Sequence, residues 1–120
     1  MTDRDGHPPV SDEVLAAVTE AIVGWHVRYH GRTPSSARTR VMGDDMLACL
    51  LGDPYTDVEK TMIELQRQAL VHETRTEFQR AMEHRFIRDV ERLTGREVER
   101  FISAYHVGPD LELELFLLAP

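Results

Sequence analysis

Four arginines, Arg28, Arg32, Arg38 and Arg40, fall within residues 26–42, a stretch that contains no acidic residue. Between them, Gly31-Arg32-Thr33-Pro34 can present backbone N–H groups beside guanidinium forks. That arrangement suits a carboxylate, bicarbonate, phosphate or acidic partner. Arg28, Gly31, Arg32, Thr33, Arg38 and Arg40 are therefore the candidate anion- or partner-binding residues. A plainer reading also fits: Arg38 and Arg40 line the solvated face of an edge strand and discourage aggregation.

His26 and His30 share a helix face, and histidines four apart can chelate zinc. No glutamate stands between them, no third ligand completes the motif, and the nearby Arg28 and Arg32 repel a cation. Protonated histidines also suit a helix C-terminus, so the pair is a weak metal candidate and no metal is expected. Asp44, Asp45 and Asp53 read as turn residues. Glu77 with Arg80 and Arg85 with Asp89 have the spacing of a salt-laced helix face. For catalysis, Ser35, Ser36 and Ser103 lack a nucleophile-elbow setting, and no phosphate loop or dinucleotide fingerprint is present. The single cysteine, Cys49, sits in an apolar strand where a thiol is usually inert. The expectation is a non-enzymatic chain without a cofactor.

The 120 residues carry 21 acidic and 14 basic side chains, a formal charge of −7. This length supports one domain. The acidic balance disfavours a protein built to grip nucleic acid. One cysteine excludes an intrachain disulfide. The start of the chain lacks a signal-peptide apolar core, and the longest apolar run, residues 46–51, is far short of the ~20 residues that span a bilayer. These features lead to an expected cytoplasmic location without direct membrane insertion.

Residues 1–10 read as a flexible lead to a single domain over residues 11–120. Ser11 is a suitable N-cap for a helix ending near His30, with Gly31 as its C-cap and Pro34 blocking continuation. Residues 37–42 and 46–51 read as a hairpin around Gly43-Asp44-Asp45. The second strand is apolar on both faces and must be covered on both, by helices or by another chain. Thr56-Asp57-Val58-Glu59 is a capping box, opening a helical pattern that reaches Leu93. One straight helix of that length would extend ~55 Å, against ~35 Å for a globule of this size. Val58, Met62, Leu65 and Ala69 form one apolar line; Phe78, Met82, Phe86, Val90 and Leu93 form another on the opposite face. A kink or break is expected at residues 71–77, where His72, Thr74 and Thr76 are weak helix formers.

Residues 97–105 and 111–118 read as a second hairpin around Gly108-Pro109-Asp110. Leu111, Leu113, Leu115 and Leu117 share one face, with Glu112 and Glu114 opposite; Phe116 and Leu118 break that alternation, so the end of the strand is expected to be buried on both sides. Helix plus hairpin thus occurs twice, which predicts an α+β, two-layer domain: a four-stranded antiparallel sheet with helices on one face.

Tyr29 with Gly31-Arg32-Thr33-Pro34, then Gly43-Asp44-Asp45, then Glu59-Lys60-Thr61-Met62 form a series that resembles the MpsC-like family of small bacterial proteins. Leu93-Thr94-Gly95 followed by Val98, and the closing leucine-rich strand, are similar to it as well. Two positions depart from the pattern: Thr33 stands where glycine is usual, and Pro54-Tyr55-Thr56 replaces a Leu-Thr pair. The resemblance implies association with a sodium-translocating, membrane-potential-generating system linked to inorganic carbon uptake; it supplies no catalytic residues. The resulting expectation is an accessory or binding module, homodimeric through the long second helix and the apolar strand faces. It would dock on a membrane transport component, peripheral to the membrane through that partner. The alternative is a regulatory module sensing a small anion at the Arg32 turn.

Overall fold

A computed structural model describes residues 8–120; residues 1–7 of the expected lead lie outside the described residues. Ser11 caps α1 (Asp12–His30), its hydroxyl accepting from Val14 N, and Gly31 closes that helix in the left-handed conformation at φ 68°. β1 (Ser36–Met42) and β2 (Met46–Gly52) form the first hairpin. α2 (Asp57–Glu64) opens with the full capping box: Glu59 N donates to Thr56 Oγ1, and Thr56 N donates to Glu59 Oε1. α3 (Gln68–Thr94), β3 (Val98–His106) and β4 (Leu111–Leu118) complete the chain.

The four strands are antiparallel in the order β1-β2-β4-β3, so the two hairpins join through their second strands. α1 lies over β1 and α3 over β3, on one face of the sheet. Between these layers Val18 and Ile22 of α1 and Phe86 and Val90 of α3 meet Leu47, Cys49, Leu51 and Phe116 in the core. The α+β two-layer architecture is the one the doubled helix–hairpin pattern requires.

The helical break falls earlier than expected. Residues 71–77 are continuous helix within α3, and the interruption lies at residues 65–67, where Gln66 adopts φ 66°. The buried positions explain this: Val71, Arg75, Gln79, Phe86 and Val90 form one stripe along α3. Burial of that stripe outweighs the poor propensities of His72, Thr74 and Thr76. The molecule is elongated, 51 × 23 × 23 Å. α2 has no fully buried residue: Met62 and Ile63 are half-buried, while Val58 is 71% and Leu65, its C-cap, 66% exposed.

β4 also turns out differently from its hydropathy. Glu112, Glu114, Phe116 and Leu118 all face the helices and are buried. Leu111, Leu113, Leu115 and Leu117 lie on the uncovered side, half-exposed. The end of β4 is therefore covered by the helices on one side only. Met46, Ala48 and Leu50 of β2 lie beside these leucines by register, so β2 too has one covered face within the chain.

Candidate functional site

α3 runs across the covered face so that Arg75 and Gln79, one turn apart, stand over β4. Beneath them Glu112 pairs with Tyr105 and Glu114 with Ser103 across the β3–β4 ladder, a square of four polar residues. Arg75 is 1% exposed, and its guanidinium is fully engaged. Nε donates to Glu59 Oε2 at 2.7 Å, and Nη2 to Glu59 Oε1 at 2.6 Å. Nη2 also donates to the Pro54 carbonyl at 2.7 Å, while Nη1 donates to Glu112 Oε1 at 2.9 Å. Two carboxylates and a carbonyl offset the desolvation of one buried cation.

Nη1 also approaches His26 Nε2 at 3.4 Å, and His26 Nδ1 lies 2.9 Å from the Arg32 carbonyl. A guanidinium only donates, so Nε2 accepts and the ring proton sits on Nδ1, donating to Arg32 O. One arginine of α3 thus ties together α1, the turn after it, the segment after β2, α2 and β4. Burial pushes the His30 pKa down to about 4, helped by the charge of Arg75. Burial alone would raise Glu59, but the bonds from Arg75 and from Thr56 N hold it down at about 2. α2 is tied to the body through this ion pair, the Lys60–Asp53 pair and its contacts with α3.

Glu114 is a different kind of group. Its Oε1 accepts from Gln79 Nε2 at 3.0 Å and Ser103 Oγ at 3.1 Å, while Oε2 has no protein partner among the described residues. Burial, reinforced by neighbouring Glu112, raises its pKa well above the carboxylate range. Burial thus disfavours its ionised form. On the adjoining strand burial pushes the Cys49 thiol up to about 11, which keeps it protonated and unreactive.

The arginine-rich stretch is spread over three places. Arg28 lies on α1 with its guanidinium carbon 5.5 Å from the Trp25 ring centroid and 5.7 Å from that of Tyr29. Gly31, Arg32 and Thr33 line a polar cleft of about 440 Å³ with His30, Asp53 and Asp57. Within it Arg32 donates to the Asp53 carboxylate and, at 3.0 Å, to its carbonyl. Lys60 reaches the same carboxylate at 2.9 Å. Arg38 and Arg40 flank the buried Thr39 on β1 and belong to the uncovered side of the sheet. The structure therefore brings Gly31, Arg32 and Thr33 together, leaves Arg28, Arg38 and Arg40 apart, and meets the Arg32 charge internally.

His26 and His30 have ring centroids 4.8 Å apart, but both His26 nitrogens are occupied by protein groups. Among the described residues no cluster of three or more His, Cys, Asp or Glu side chains could hold a metal.

Arg75, Gln79, Glu112 and Glu114 are absent from the candidates drawn from sequence, although two signals point to them. Arg75 and Gln79 continue the four-residue spacing from Val71 toward Phe86, and Glu112 and Glu114 share strand parity with Phe116 and Leu118. Opposite charges occupying core positions of two elements are the mark of a buried ionic hub.

These features define a small two-layer α+β protein, held by an internal ionic hub, with a presented amphipathic helix and an uncovered sheet face. The model of the family described as Na+-translocating membrane potential-generating system (MpsC) matches residues 11–120, and the chain belongs to that family. No curated protein and no solved structure matches it. No helix among the described residues is long and apolar enough to cross a membrane.

Proposed function

We propose that this chain is a non-enzymatic accessory module of a sodium-translocating, membrane-potential-generating system, acting as a homodimer that docks on a membrane component. The observation that carries this reading is the outward apolar line of α2, with Val58 and Leu65 mostly exposed. A short helix with no fully buried residue, yet pinned by a buried arginine, is held for contact with something else. The cleft bearing Arg32 and Thr33 adjoins the start of α2 through Thr56 and Asp57. Docking therefore combines an apolar ridge with a charged rim, the composition of a specific interface. The family membership supplies the system.

The experiment is an affinity pull-down from native membranes, with the recovered proteins identified. Recovery of an integral membrane component with the wild type, lost in a Val58→Asp/Leu65→Asp variant, supports the reading. Recovery of this chain alone removes it.

A further inference from the structure

The uncovered side of the sheet is apolar along its centre and basic at its edges. Leu111, Leu113, Leu115 and Leu117 form an apolar row on β4, and Met46, Ala48 and Leu50 a second row beside it on β2. Across the ladder the outer strands place Arg38 and Arg40 on β1, and Arg100 and Ile102 on β3. Four strands at ~4.8 Å spacing and seven residues at ~3.3 Å give about 400 Å² of flat area per copy. With side-chain relief, two such faces bury on the order of 1,000 Å², the lower limit of a specific interface.

We propose that this face is covered by a second copy of the chain, packed sheet on sheet about a two-fold axis that runs along the strands between β2 and β4. That axis lays each β4 over the β2 of the other copy. Leu115 then stands over Ala48 and Leu111 over Gly52, large against small, while Leu113 meets Leu50 and Leu117 meets Met46. Two sheets packed in this way stand ~10 Å apart with their strands within about 30°.

Charge selects the same axis. Laid along the strands, it sets β1 over β3 of the other copy, so Arg40 faces Ile102, Arg38 faces Ala104 and Arg100 faces Met42. A two-fold across the strands at the level of Thr39, the middle of β1, would instead set Arg38 against Arg40 of the other copy, twice, with no carboxylate at any of these positions to relieve it. The covered arrangement also satisfies the requirement of β2 for apolar cover on both faces. The inference specifies the homodimer of the proposed function, but its test reads mass alone and is separable from membrane docking.

The test is light scattering of the purified chain at micromolar concentration, with circular dichroism to confirm folding. The wild type is expected at twice its 13.8 kDa mass, and Leu115→Glu as a folded monomer. Ile102→Glu keeps the dimer, because the new carboxylate lies under Arg40 of the other copy, and it dissociates more readily at high salt than at low. A monomeric wild type, or a wild type that is monomeric and co-sediments with anionic phosphatidylserine vesicles, overturns the proposal. A dimeric Leu115→Glu places the interface elsewhere, and an Ile102→Glu variant as fully monomeric as Leu115→Glu excludes this axis. Because Leu115→Glu can fail to fold, Ile102→Glu and the wild-type mass decide the matter independently.

Discussion

Arg75 and Glu59 lie sixteen residues apart and meet through two hydrogen bonds of 2.7 and 2.6 Å, a fork-to-fork pair that fastens α2 to the body of the protein. Glu59 is also half of the α2 capping box, so one carboxylate starts the helix and anchors it. Local capping and tertiary attachment are therefore coupled at a single side chain.

Replacing Arg75 with methionine leaves Glu112 buried without its cation and releases Glu59. A loss of about 3–5 kcal/mol is expected for breaking one side of such a buried pair, read by urea denaturation. Hydrogen exchange should show amide protection falling first in α2, which has no buried side chain of its own. The double variant Arg75→Met/Glu112→Leu should recover part of the loss, since it strands no charge on β4. A double variant no more stable than Arg75→Met would show that the hub does not act through the Arg75–Glu112 pair.

Stability should fall in two stages as the pH is lowered. His30, held near 4 in the folded state, takes up its proton more easily when unfolded. Its share of stability is complete above about pH 6.5 and is lost as the pH falls toward 4. Glu59, held near 2, contributes above about pH 4.5 and loses that contribution as the pH drops toward 2. In Glu59→Gln the lower stage should vanish while the upper one remains. Urea midpoints measured across pH 2–7 separate them, and an unchanged lower stage in Glu59→Gln would assign it to another carboxylate.

Glu114 has the opposite sign. Its folded pKa is raised, so below about pH 4.5 it is protonated in both states and costs nothing. Above that pH the unfolded chain ionises while the folded chain resists, and stability is withdrawn as the pH rises toward the folded pKa. Glu114→Gln keeps the shape and removes this penalty. The variant should therefore gain on the wild type progressively as the pH rises above about 4.5, seen as a widening difference in melting temperature. A constant difference would mean that Glu114 is ionised in the folded protein.

Much of the architecture is legible in the sequence because it depends on local chemistry. Ser11 and Gly31 bound α1, Thr56 and Glu59 open α2, and the Gly43 and Gly108 turns define the two hairpins. The family pattern also rests on such turns, which is why it tracks the fold. What the local chemistry leaves open is which side of each element is covered. On β4 the leucine row looks like the buried face and the glutamates like the wet one; the reverse holds because Arg75 and Gln79 descend from α3 to meet Glu112 and Glu114. The same polar pair carries α3 unbroken through residues 71–77 and shifts the break to Gln66. Arg32 is the complementary case. Its place beside the turn is readable, but its partner Asp53 lies 21 residues along the chain, and only the fold brings the two together.

The proposed docking role of α2 rests on its outward positions Val58 and Leu65. Purified protein mixed with membranes from its native cells, then sedimented, tests it most directly. Wild type is expected to sediment at low salt and to be partly released at high salt. Val58→Asp/Leu65→Asp should stay in the supernatant with a melting temperature close to that of the wild type, because both positions are exposed. Equal sedimentation of wild type and variant would contradict the claim, as would a wild type that does not sediment at all.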